Sequence, residues 1–184
     1  EGTVGFGLDI LATAGFKLDA SAKYAGTGNL PRDTVTNEPA SSYGEIGVTG
    51  KAKISQTELK IGTLRPMNPV LVASPARLLP QTYRGISLES KDVKDFELQA
   101  AFIDKVNQRD STNFENIRIS AVNGRFKNAE TDGLYYAGGY YNVNPSLRLG
   151  LFYLDVNNLY DQWTTGFLHK WEINPTTRLS SYLH

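Results

Sequence analysis

Two histidines, His169 and His184, and no cysteine leave this 184-residue chain poorly equipped for nucleophilic or metal chemistry. Without thiols there is no thiolate metal ligand, no cysteine nucleophile and no disulfide. His169 shares strand parity with Phe167 and Trp171, so it is expected near a strand end facing lipid or headgroups, far from any nucleophile it could activate. The 19 acidic residues offer many carboxylate pairs, but no spacing singles out one pair for acid–base work. Gly5 and Gly7 form GFG inside a strand-like run with no helix after it, unlike a phosphate loop. No catalytic residue, metal site or cofactor is expected.

What remains is the chemistry of fixed charge. Lys51 and Lys53 alternate with Ala52 and Ile54, and Lys60 lies between Leu59 and Ile61, so all three lysines turn to the polar face of their strands. There they either meet a solute or stand as solvated charges. Arg118, opposed to Ile117 and Ile119 on a short alternating piece, is a further cation of this kind. Arg84 has two other options: pairing with Glu89, or lying along apolar surface with its head in water. The 19 basic and 19 acidic residues cancel, so no overall field recruits nucleic acid or an anionic membrane surface.

The elements carrying these charges read as strands. From Val4 to Phe16, Val4, Phe6, Leu8, Ile10, Ala12, Ala14 and Phe16 fall on one side, and small or polar residues fall mostly on the other. Soluble strands average about five or six residues, whereas a tilted membrane strand needs about nine to eleven. Length therefore favours a membrane barrel. No apolar run approaches the roughly 20 residues of a membrane helix, which leaves barrel strands as the spanning element. Further alternating segments are expected at Tyr43 to Ile54, Leu59 to Thr63, Ile86 to Glu89, Phe96 to Phe102, Leu134 to Tyr141, Leu147 to Leu154, Tyr160 to Trp171 and Thr177 to His184. Tyr135, Tyr136, Tyr140 and Tyr141 bracket one strand, and Trp163, Phe167 and Trp171 share a face on another, as in interfacial girdles.

Between the second pair of strands lies Leu64 to Gly85, LRPMNPVLVASPARLLPQTYRG. It is too apolar for an ordinary solvent loop, and its prolines bar it from a central strand. Such a segment needs an interior, and the lumen of a barrel supplies one. Spanning strands alternate up and down, with short turns on one side and long loops on the other. With SQT, KDVKD, NVNPS and INPT as the short turns, residues 104–133 must be one long external loop carrying a non-spanning strand. The count is then about nine spanning strands, an odd number where a barrel on one chain closes with an even one. The chain starts at Glu1 without Met, already approaching a strand, and is expected to be an internal piece of about half a barrel.

The motifs GTVGFGLDIL (2–11), GTGNLP (26–31), KAKIS (51–55), LKIGTLRPMNPV (59–70) and ARLLPQTYRG (76–85) resemble the OprD, or Occ, family of substrate-specific outer-membrane channels. The resemblance implies an all-β, antiparallel transmembrane β-barrel of about eighteen strands. It also implies an extracellular loop folded into the lumen at residues 64–85, and a ladder of basic residues that guides substrate carboxylates. It makes the arginine of the RLLPQT motif, Arg77, the leading constriction residue. A guanidinium over a narrow passage binds a carboxylate bidentately and stays charged at any working pH. The expected function is selective passive uptake of small carboxylate nutrients, amino acids or aromatic acids, through the bacterial outer membrane. Lysines 51, 53 and 60 with Arg84 and Arg118 would complete the path. Outer-membrane lipid is the expected surrounding, and a homo-oligomer is compatible with the pattern. The alternative is a soluble β-barrel or sandwich that binds a ligand, with residues 64–85 as its lid.

Overall fold

The computed structural model describes residues 4–19, 28–33, 35–119, 129–174 and 177–183. Strands β1 (Val4–Phe16), β2 (Ser42–Ile54) and β3 (Thr57–Leu64) come first. A small hairpin of β4 (Met67–Asn68) and β5 (Leu71–Val72) follows, then β6 (Thr82–Ser90) and β7 (Phe96–Asn107). Three short pieces, β8 (Phe114–Glu115), β9 (Ile117–Ile119) and β10 (Ala129–Thr131), lead to β11 (Leu134–Asn144), β12 (Leu147–Val156), β13 (Tyr160–Asn174) and β14 (Thr177–Leu183).

Among the described residues, nine long strands form one antiparallel sheet in the order β1-β2-β3-β6-β7-β11-β12-β13-β14, with β8 pairing with β7 and with β9 and β10 forming a two-stranded sheet of their own. Apart from the small elements, each strand pairs with its neighbours in sequence, as an up-and-down barrel wall requires. The sheet is open, because β1 and β14 each have one neighbour among the described residues. The pairing of Leu64 with Tyr83 extends the ladder past the expected strand ends. The Pro-rich excursion that leaves the main sheet is therefore narrower than residues 64–85, running from Arg65 to Gln81.

Short turns join β2 to β3, β6 to β7 and β11 to β12. Ser55 and Asp95 take positive φ values of 55° and 65° in the first two. These turns are laced together, since the Asp92 carboxylate accepts from the Gln56 amide at 2.9 Å and the Thr57 hydroxyl at 2.6 Å. Hydrogen bonds from Ser55, then Thr57 and Gln56, hold its carboxyl below the usual carboxylate range. A lowered acid stabilises the fold above its ordinary pKa of about 3.9 and loses that contribution as pH falls through the folded-state value. Asp92→Ala is thus expected to lower the temperature at which a folded barrel loses its fast gel migration at pH 7, and the difference from wild type should vanish in strong acid.

Register assigns the faces. Phe6, Leu8 and Ile10 share one face with Ile46, Val48, Ile61, Ile86 and Leu88 through direct cross-strand pairs. Phe6 is 84 % exposed and Ile46 79 %. On the opposite face lie Asp9, Lys51, Lys60, Ser87 and Glu89, and there too the core forms. Leu64, Tyr83, Ile103, Val106, Leu134, Tyr136, Leu154 and Val156 are buried on it together with Ala73 of the excursion, and Val70 and Leu71 pack against them. The excursion therefore lies over the face that carries the charges. Each apolar side chain so covered contributes about 1.5–3 kcal/mol of burial.

The parity also divides the tyrosines. Tyr135 and Tyr141 stand on the exposed apolar face with Phe102 and Phe96, whereas Tyr136 and Tyr140 face the other way with Ala101 and Glu97. Only the first two belong to a girdle, because adjacent residues in a strand point to opposite sides.

Candidate functional site

The excursion has two closed lobes. The first, the β4-β5 hairpin, is shut by the Ala73 amide donating to the Pro66 carbonyl at 2.8 Å. Asn68 turns it by accepting the amides of Val70 at 3.1 Å and Leu71 at 2.9 Å on one side-chain oxygen, across a proline that has no amide to offer. The second lobe is shut by the Gln81 amide on the Ser74 carbonyl at 3.1 Å and the Ser74 amide on Gln81 Oε1 at 3.2 Å.

The second lobe is held by the segment just past β7, where Gln81 donates to Gln108 at 3.1 Å and Arg109 donates to Ser74 at 3.2 Å. At its exit the Thr82 hydroxyl of β6 donates to buried Glu45 of β2 at 2.6 Å. Its tip leans on β1 and β2, where the Tyr43 ring and Leu78 cover Gly15 so closely that a Cβ there would lie 2.4 Å from the ring. Arg77 projects from this lobe. It is exposed, rests against Gly28, and has no hydrogen-bond or ion-pair partner among the described residues. Gly28 itself has φ +72°, and a Cβ on it would stand 3.2 Å from Arg77 Nε.

The three lysines behave differently from one another. Lys51 and Lys60 stand opposite each other across β2 and β3, yet both are neutralised: Lys51 by Asp9 at 2.7 Å, Lys60 by Glu89 at 3.4 Å and Glu58 at 3.7 Å. Lys53 shares their face and has no ion-pair partner among the described residues. Arg84 is not among them. It pairs in register with Thr63 and stands with Ile86 and Leu88 on the apolar face, its Nε 3.0 and 3.1 Å from the two oxygens of Asp104. Strand parity takes it off the charged face, and Glu89, its expected partner, faces away toward Lys60. Arg118 lies in the separate β9-β10 sheet, 2.9 Å from Glu130 and 4.0 Å from Glu115.

Sequence reasoning missed Arg148. Leu149, Leu151 and Tyr153 face outward on β12, so alternation alone would have turned Arg148 to the charged face. Its guanidinium lies 3.0 Å from Glu97 and 3.9 Å from the centre of the Tyr140 ring, and its buried Nε has no partner. Lys91 reaches the same Glu97 at 3.2 Å. Arg148 borders a cavity of about 330 Å³ that Pro69 of the first lobe, Phe152 and Thr164 also line. The excursion thus shares a cavity with one arginine and carries another.

The model of the outer membrane porin, OprD family, matches residues 1–184. The chain belongs to the OprD family of outer-membrane porins. Porin D of Pseudomonas aeruginosa is 32 % identical over 89 % of the chain, which covers 36 % of that protein. The crystal structure of Acinetobacter baumannii OccAB2 superposes with a TM-score of 0.95 at 75 % identity, over 99 % of this chain and 46 % of that one. Pseudomonas aeruginosa OpdK with vanillate superposes at 0.83 with 34 % identity, over 95 % and 44 %. The chain spans less than half the length of these relatives. OprD-family proteins are channel proteins of the bacterial outer membrane, not enzymes, which overturns the soluble-binder alternative. The apolar face of the sheet is then its lipid face, and the charged face its lumenal one.

Proposed function

We propose that the barrel to which this sheet belongs takes up small carboxylate-bearing nutrients by selective passive diffusion, with residues 65–81 folded inward as its constriction and, of the expected external loop at 104–133, the part that follows β7 lying outside the wall. The supporting observation is Arg77: an exposed guanidinium, without an ion-pair partner among the described residues, on a Pro-rich segment that packs over the charged face. A fixed cation of this kind attracts a carboxylate without first breaking an internal ion pair. Lys53 adds a second charge without an ion-pair partner among the described residues, while Lys51 and Lys60 exchange their carboxylate partners for substrate at low cost, because pairs open to solvent are worth only about 0–1 kcal/mol. Weak, repeated contacts suit a channel better than one deep site, since the solute must also leave. That the related OpdK is known with vanillate, an aromatic carboxylate, agrees with this substrate class.

In proteoliposomes holding a complete barrel that includes these strands, Arg77→Ala is expected to reduce carboxylate flux about tenfold and to lower anion selectivity, with a neutral sugar unaffected. Unchanged carboxylate flux and unchanged reversal potential would remove Arg77 from the path.

A further inference from the structure

The lipid face is not uniformly convex. Between β7 and β11 the side chains shrink to Ala100, Ala137 and Gly139, directly paired or one row apart, while Leu88 rises on one flank and Leu151 and Tyr153 on the other. The result is two hollows of about 750 and 420 Å³ that share Leu88, Ala100 and Ala137 and so form one continuous furrow. Both ends are marked by aromatic pairs in contact: Phe96 stacked with Tyr141, centroids 4.7 Å apart, and Phe102 tilted against Tyr135 at 4.8 Å. Six residues of strand separate the pairs, about 20 Å along the furrow. For a strand tilted about 40° that is about 15 Å of membrane depth, slightly more than half of an apolar band about 25 Å tall.

We infer that this furrow holds one acyl chain of a phospholipid from the periplasmic leaflet as a resident lipid, with its headgroup phosphate on Lys94. The larger hollow lies at the short-turn end, bounded by Thr57, Ser90, Phe96 and Tyr141, and short turns are the periplasmic side of a barrel. Lys94 stands in the turn two residues before Phe96, exposed and without an ion-pair partner among the described residues, whereas Lys91 of the same turn is engaged by Glu97. A free cation beside an aromatic pair at the mouth of an apolar furrow matches a phosphodiester above its glycerol and acyl groups. The apolar length suits a long saturated chain, and the Ala and Gly floor lets it sit below the ring tops, where annular lipids do not reach.

The test is native mass spectrometry of a complete barrel that includes these strands, delipidated in detergent and titrated with dipalmitoyl phosphatidylglycerol. One lipid is expected to survive activation that strips the others. Ala137→Trp, which fills the waist of the furrow, should lower its occupancy about tenfold. Lys94→Gln should lower it about fivefold for phosphatidylglycerol and less for phosphatidylethanolamine. Ala100→Leu serves if the tryptophan variant does not fold, folding being read from heat-modifiable gel migration. Undiminished retention in the filled variants would overturn the assignment, as would a second barrel copy, in place of lipid, lost on filling. Carboxylate flux through the same variants should be unchanged, so this outcome is separable from the role of Arg77.

Discussion

Ile103→Asp is expected to open the pore. Ile103 is completely buried on the lumenal face, in the cluster that seats Ala73, Val70 and Leu71 of the 65–81 excursion. A carboxylate there would be either desolvated and unpaired or hydrated only by lifting the excursion away. An uncompensated buried charge costs about 3–5 kcal/mol, enough to shift the seated-to-released ratio by roughly two to nearly four orders of magnitude. In a complete barrel, planar-bilayer recordings should show single-channel conductance raised several-fold, with rapid fluctuations and reduced discrimination between a carboxylate and a neutral solute of similar size. Ala73→Asp, placed on the excursion instead of the wall, should produce the same opening and guards against a wall variant that fails to fold. Wild-type conductance in both variants would show that the excursion does not narrow the pore.

The second large effect is expected at Arg148. Its guanidinium neutralises Glu97 at 3.0 Å and stands over the Tyr140 ring, beside the cavity that Pro69 also lines. Arg148→Glu puts a carboxylate where Glu97 already needs a cation, leaving Lys91 alone to compensate two charges. The local field changes sign, so carboxylate flux should fall by more than about tenfold and the preference for anions over cations should weaken or invert. Arg148→Lys keeps the charge but loses the guanidinium's fork of donors, and is expected to fall between the two. Reversal potentials in a salt gradient, measured with flux, separate a lost charge from a collapsed cavity. If Arg148→Lys and Arg148→Glu behave alike, sign is not what matters at this position.

Several layers of the molecule were legible in the residues. The alternation from Val4 to Phe16 is visible because lipid and lumen demand opposite chemistry from neighbouring residues, and the two faces came out as alternation assigns them. Leu64 to Gly85 announced itself through four prolines in an apolar stretch, which no central strand tolerates. Lys51, Lys53 and Lys60 were correctly turned to the charged face. Arg148 was equally readable by parity and was overlooked because Leu147 to Leu154 carries few other polar residues.

What alternation cannot supply is partnership. Whether a lumenal cation is free or spent depends on which carboxylate the neighbouring strand places opposite it, and that follows from register between segments far apart in the chain. Glu97 meets Arg148 through β11, and Lys60 meets Glu89 across β3 and β6. Arg84 shows the same dependence. A register shift between Arg84 and Gly85 against β7 sets it beside Lys105 and Asp104, which no local pattern signals. The sequence by itself determined an all-β wall with one apolar and one charged face, and an apolar segment that had to be covered. Only the tertiary structure decided that, among the described residues, Arg77 has no ion-pair partner while Lys51 and Lys60 do, because ion pairing is a cross-strand property and strand alternation is a local one.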